Sequence, residues 1–94
     1  MMDKSEFRKN AKLQIDLLFD KIEHLEEKKD KVSADAIERY EETIRNLKYK
    51  RSRLQQNYQE LEIVAEEQWI ETKKAFEHAT SSVKEGVQKC VEMI

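Results

Sequence analysis

The chain has 94 residues, 40% of them charged and 38% hydrophobic, and a net charge of −2. A chain this short buries a modest core and makes one structural unit, and so much charge with evenly spread apolar residues fits long helices or a coiled coil better than a compact enzyme. The near balance of 18 basic and 20 acidic residues leaves no domain-wide basic footprint for nucleic acid, and no run approaches membrane-spanning length. The opening Met1-Met2-Asp3-Lys4-Ser5-Glu6 lacks the apolar run of a signal peptide. One cysteine, Cys90, excludes an intrachain disulfide and fits a reducing cytoplasm.

The first segment, residues 3–31, carries Phe7, Ala11, Ile15, Leu18, Ile22 and Leu25. After Ala11 these alternate steps of four and three, the seam of a coiled coil. Leu13, Leu17 and Phe19 widen the apolar face of its first half, which a third helix would use.

The rhythm slips at Val32-Ser33-Ala34-Asp35 and resumes one residue out of step, at Ile37, Tyr40, Ile44 and Leu47. Ser33 is placed to cap a new helix with its hydroxyl. Asp35 stands where the helix dipole favours an anion, and Val32 and Ile37 form a hydrophobic staple. Lys28, Lys29 and Lys31 close the preceding helix, where cations are favoured. The pattern predicts one helix over about 3–31, a turn at 32–33 and a second helix from 34.

Two helices joined by a tight turn run antiparallel. Folding at Ser33 sets Leu25 near Ile44, Ile22 near Leu47, Ile15 near Leu54, Ala11 near Tyr58 and Phe7 near Leu61. The charges agree. Lys28, Lys29 and Lys31 face Asp35, Glu38, Glu41 and Glu42; Asp16 to Glu27 carries acids opposite the basic run 45–53; Arg8, Lys9 and Lys12 face Glu60 and Glu62. Exposed pairs contribute only about 0.2–1 kcal/mol each, so they select orientation and register more than they stabilise.

Beyond Leu61 the first helix has no residues left to cover the second, yet the apolar face continues through Ala65, Trp69, Thr72, Phe76, Ala79, Val83, Gly86 and Cys90. Large residues alternate with small ones there, as close approach to another surface requires. An uncovered stripe with a Trp and a Phe marks an interface. Two solutions exist: the chain bends near 62–68 and returns as a third helix, or the second helix continues to residue 93 and a second copy covers it. No Gly, Pro, Asn, Asp or Ser lies between Glu60 and Ile70, so turn chemistry is absent. The expectation is therefore a single all-α domain over 1–94, an antiparallel hairpin whose long second helix, 34–93, makes a homodimer through Ala65, Trp69, Thr72, Phe76, Ala79 and Val83. The monomeric three-helix bundle is the alternative.

No catalytic, metal or cofactor constellation emerges. His24 and His78 lack the Glu three residues earlier that di-iron bundles use, and Cys90 has no His or second Cys beside it in sequence. Five cations at 45–53, with Tyr49 among them, invite a nucleic-acid reading, but acids of the first helix are placed to neutralise them. Arg51 falls on the seam, where its stem packs while its head reaches water. The Trp69–Phe76–Val83 stripe also suits a lipid surface, though 62–94 carries seven acids and four bases, the wrong sign for anionic membranes.

Leu47, Leu54 and Leu61 at heptad spacing, followed by Ala65-Glu66-Glu67-Gln68-Trp69, Lys73, Phe76 and Ala79, give the chain a resemblance. It is similar to a family of small bacterial coiled-coil proteins associated with stress responses and described as apolipoprotein-like. That resemblance implies no enzymatic activity and no ligand residues. Together with the pattern it sets the expectation of a non-enzymatic, self-associating interaction protein, with a peripheral lipid-binding helix as the alternative.

Overall fold

In the computed structural model, which describes residues 3–94, the chain is all-α. Three long helices, α1 (Lys4–Glu27), α2 (Ile37–Ile63) and α3 (Trp69–Glu92), run up, down and up as an elongated bundle of 50 × 18 × 17 Å. Asp3 opens α1, its carboxylate accepting the Glu6 amide at 2.8 Å, an N-cap that satisfies a donor the first turn leaves unpaired. The seam residues of both hairpin helices point inward. Ile15, Leu18, Ile22, Leu25, Ile44, Leu47, Leu54 and Leu61 are buried and Phe7 packs against them half-buried.

The hairpin forms in the expected register. The Tyr40 hydroxyl donates to the Leu25 carbonyl, and the Arg8 Nε donates to the Leu61 carbonyl at 2.8 Å. Lys48 meets Glu26 at 3.0 Å and Lys29 meets Glu41 at 3.8 Å, so the first two charge blocks pair in sign. The third does so less directly, since Lys12 pairs along its own helix with Asp16 at 2.8 Å.

The connection is longer than a turn at 32–33. α1 ends at Glu27, one turn of 3-10 helix spans Lys29–Lys31, and α2 starts at Ile37. Ser33 contributes its carbonyl, which accepts the Ala36 amide at 3.0 Å, and the cap residue Ala36 makes no side-chain capping bond. The cap expected at Ser33 is thus replaced by an extra turn, and Val32 packs against the core.

The second helix does not continue to residue 93. It stops at Ile63; Val64 (φ −68°, ψ 142°) and Ala65 (φ −69°, ψ 153°) are extended, a 3-10 turn spans Glu66–Gln68, and α3 returns along the hairpin. The break uses none of the usual turn residues. Ile63 and Val64 are β-branched and among the weaker helix formers, and Glu66 and Glu67 sit where α3 begins, on the positive end of its dipole. The Val64 amide still reaches the Glu60 carbonyl at 2.9 Å, and the Gln68 amide closes on Ala65 at 3.0 Å. What drives the bend is burial: folding back covers Phe76, Val83, Val87 and Cys90, each large apolar side chain contributing about 1.5–3 kcal/mol when removed from water.

The residues expected to meet a second copy are therefore largely spent within the chain. Phe76 and Val83 are buried, Trp69 and Ala79 pack against the same core, Thr72 is half-buried and Ala65 is exposed in the turn. The alternation of large and small residues does mark a close approach, but to α2. A Cβ built on Gly86 would run into the Leu47 side chain, so α3 crosses α2 closely enough that any larger residue would force Leu47 to move.

Candidate interaction surface

A groove lies between each pair of helices, and their charges differ. Between α1 and α2, Glu26, Glu27, Asp30 and Glu41 are answered by Lys29, Arg45 and Lys48. Between α2 and α3, Arg39 and Lys89 are answered by Glu42 and Glu92. Between α1 and α3 the walls carry Lys21, Lys28 and Lys84, with Gln14, His24 and Gln88, and not one carboxylate. Two acids reach its edges from outside: Glu92, which accepts from the Gln88 side-chain amide at 3.5 Å, and Asp20, 3.7 Å from His24.

The α1/α3 groove is also the most apolar on its surface. Leu18, Leu25 and Val87 form its buried floor, and Leu17 (57% exposed) and Val91 (49%) line its rim. Leu13, one turn before Leu17, is 63% exposed. Leu13 and Leu17, expected to receive a third helix, therefore flank that helix without being covered by it, whereas Phe19 turns toward α2 and packs beneath the Arg51 guanidinium, 6.0 Å from its ring. The sequence signal for this surface is apolar residues beside the core seam at helical spacing: Leu13 and Leu17 on α1, and Val87 and Val91 on α3, each pair four apart.

The opposite end of the bundle is tightly tied. Phe7 meets Trp69 and Phe76 edge-on, with ring centroids 5.7 and 6.0 Å apart. Lys4 and Arg8 each stand 5.5 Å from the Trp69 ring, Lys73 stands 5.1 Å from Phe7, and Lys4 reaches Glu66 at 2.8 Å. Lys4 holds the Glu66 carboxyl below the usual carboxylate range, through a hydrogen bond first and charge second. This cluster clamps the start of α3 onto the start of α1.

The basic run is divided in its use. Lys48 is paired with Glu26, Arg51 is stacked on Phe19, and Arg45 lies in the acid-bearing groove, while Tyr49 is 65% exposed. Cys90 is a buried free thiol whose pKa burial pushes up. Among the described residues no group of three or more His, Cys, Asp or Glu is arranged to hold a metal ion, and no helix is long and apolar enough to cross a membrane. No protein-family model, curated protein or solved structure matches the chain.

Proposed function

We propose that this chain is a non-enzymatic helical interaction module that acts in the cytoplasm by presenting the α1/α3 face to another polypeptide. The observation that carries the reading is the set of apolar side chains left in water on that face, Leu17 and Val91 on the groove's rim and Leu13 one turn before Leu17, along a bundle whose other two grooves are lined by charges of both signs. Apolar side chains gathered along one groove, rather than scattered singly, are the signature of a contact surface. The cytoplasmic placement rests on the single cysteine, and an association with stress responses rests on the resemblance alone.

On this fold, self-association through the C-terminal half requires α3 to leave its own hairpin. Because α3 already covers its own hairpin, two copies share the Trp69–Phe76–Val83 stripe only by exchanging α3, with α2 and α3 joined as one helix through 63–68. Exchange of an identical element is a low-cost route to a dimer, and the lack of Gly and Pro in that segment leaves it compatible with a helix.

A photoreactive amino acid at Leu13 tests the reading in cells that make the protein. The expected result is a crosslink to another polypeptide that is lost when Leu17 is changed to Gln. Absence of any polypeptide crosslink from the α1/α3 face, with crosslinking intact from a buried position such as Phe76 to the same chain, overturns it.

A further inference from the structure

Resting on the interaction-module reading, we infer that the α1/α3 groove receives an acidic amphipathic helix of a partner protein. α1 and α3 run parallel, and the trough between them extends from Leu17 to Lys28 on one wall and from Lys84 to Val91 on the other. The eight residues of the α3 wall cover about 12 Å, or two turns, enough to seat a short docked helix. A cylinder fills such a trough by laying its apolar face on the floor, with anchors spaced three and four apart.

Charge then sets the sign of the occupant. Lys21 on α1, Lys28 just past its end and Lys84 on α3 stand on both sides of the apolar floor, and none of the groove's lining residues is a carboxylate. The contrast with the other two grooves matters, because those carry both signs and need no outside counter-charge. A helix with Leu or Ile on one face and Glu or Asp on both flanks buries Leu17, Val87 and Val91 while answering all three lysines. Complementary charge of this kind governs encounter rate and choice of partner.

The same cations disfavour a second copy seated face to face, since an isologous contact would bring Lys21, Lys28 and Lys84 against themselves. Shape, not charge, favours a helix over an anionic membrane. A flat surface meets the outer ridges of α1 and α3 rather than the trough between them, and the α1 ridge carries Asp20 beside His24.

The test uses the full chain and a synthetic 16-residue helical peptide with Leu at i, i+3, i+4 and i+7 and Glu on the flanks. Binding is read by anisotropy or calorimetry. The acidic peptide is expected to bind one to one, and more weakly as salt rises through the range where the Debye length falls below about 10 Å. Lys21→Glu and Lys84→Glu are each expected to weaken it about tenfold, as is Leu17→Gln, each loss corresponding to about 1.4 kcal/mol. Lys74→Glu, on the exposed outer face of α3, leaves affinity unchanged. Helix content and melting temperature of every variant are measured alongside, so that a loss of fold is not read as a loss of binding. Equal binding of a peptide with Lys in place of Glu overturns the inference, as does an acidic peptide that is insensitive to the groove variants. Binding to phosphatidylglycerol vesicles without binding to the peptide overturns it in favour of a lipid surface. A polypeptide crosslink from Leu13 in cells combined with no acidic-peptide binding discards the acidic helix while keeping the interaction module; failure of both discards both.

Discussion

Tyr40 shows how one side chain serves both packing and polarity in this bundle. It is fully buried, yet its hydroxyl finds the Leu25 carbonyl across the hairpin turn, and among the described residues no buried side-chain nitrogen or oxygen lacks a partner. Burial first, and proximity to Cys90 second, raise its pKa above the ordinary 10; burial likewise raises Cys90 above 9. The sign follows directly. As pH rises the unfolded chain loses these protons before the folded one does, so the folded state binds more protons and stability falls with pH. Stability from both groups is complete below pH 9 and declines as pH climbs past their unfolded values toward the raised folded ones. Tyr40→Phe is expected to cost about 0.5–1.5 kcal/mol at neutral pH through the lost hydrogen bond and to flatten the alkaline limb of a melting-temperature profile. An unchanged limb would show that Tyr40 is not what titrates.

Gly86 sits where α3 presses close on α2. An alanine there gains about 1 kcal/mol of helix propensity but drives its Cβ into Leu47, which has no exposed surface into which to turn. Overpacking of this kind costs about 1–3 kcal/mol, so Gly86→Ala is expected to lower the melting temperature despite the better helix former. In a Leu47→Ala background the obstruction is gone, and Gly86→Ala becomes stabilising. A double-mutant cycle measured by urea denaturation reads this sign reversal; two additive losses would mean that the crossing is looser than the structure shows.

At the scale of elements, the informative segment is 63–68. The hairpin was legible because three independent patterns agreed on it: the seam, the slip at residues 32–35 and the opposed charge blocks. The bend after Ile63 was not, because it lacks the residues that normally announce a turn. Its traces were weaker: β-branched Ile63-Val64, a four-plus-four step at Leu61–Ala65–Trp69, and two acids poised to begin a helix. The candidate surface was legible only in part. Leu13 and Leu17 stood out as surplus apolar residues, but which neighbour would leave them uncovered depended on a third helix whose course the pattern left open. Ala65→Pro separates the two courses by sign. Ala65 has φ −69° and ψ 153°, Val64 before it is extended as proline requires, and the amides that close the turn belong to Val64 and Gln68. The substitution is expected to stabilise the bundle by about 0.4–1 kcal/mol, read as a higher urea midpoint. In a continuous helix the same proline would cost about 3 kcal/mol.

For the molecule as a whole, the question is whether α3 stabilises its own hairpin or one belonging to another copy, and concentration decides it. A bundle 50 Å long and a straight 60-residue helix of about 90 Å differ plainly in small-angle scattering. The thermodynamic contrast is sharper still. Phe76 is buried against the hairpin and meets Phe7 edge-on, so Phe76→Ala is expected to remove about 3–5 kcal/mol, a large share of the roughly 5–15 kcal/mol that holds a domain together. If that burial is within one chain, both the parent and the variant melt at temperatures independent of protein concentration. If α3 is exchanged between copies, folding is linked to association, and the melting temperature rises with concentration by mass action. The expected outcome is a concentration-independent melt for both proteins over about a hundredfold range, with a longest dimension near 50 Å. A rising melt for the parent would show α3 exchange to be the resting state, and with it the residues 63–68 as a helix rather than a bend.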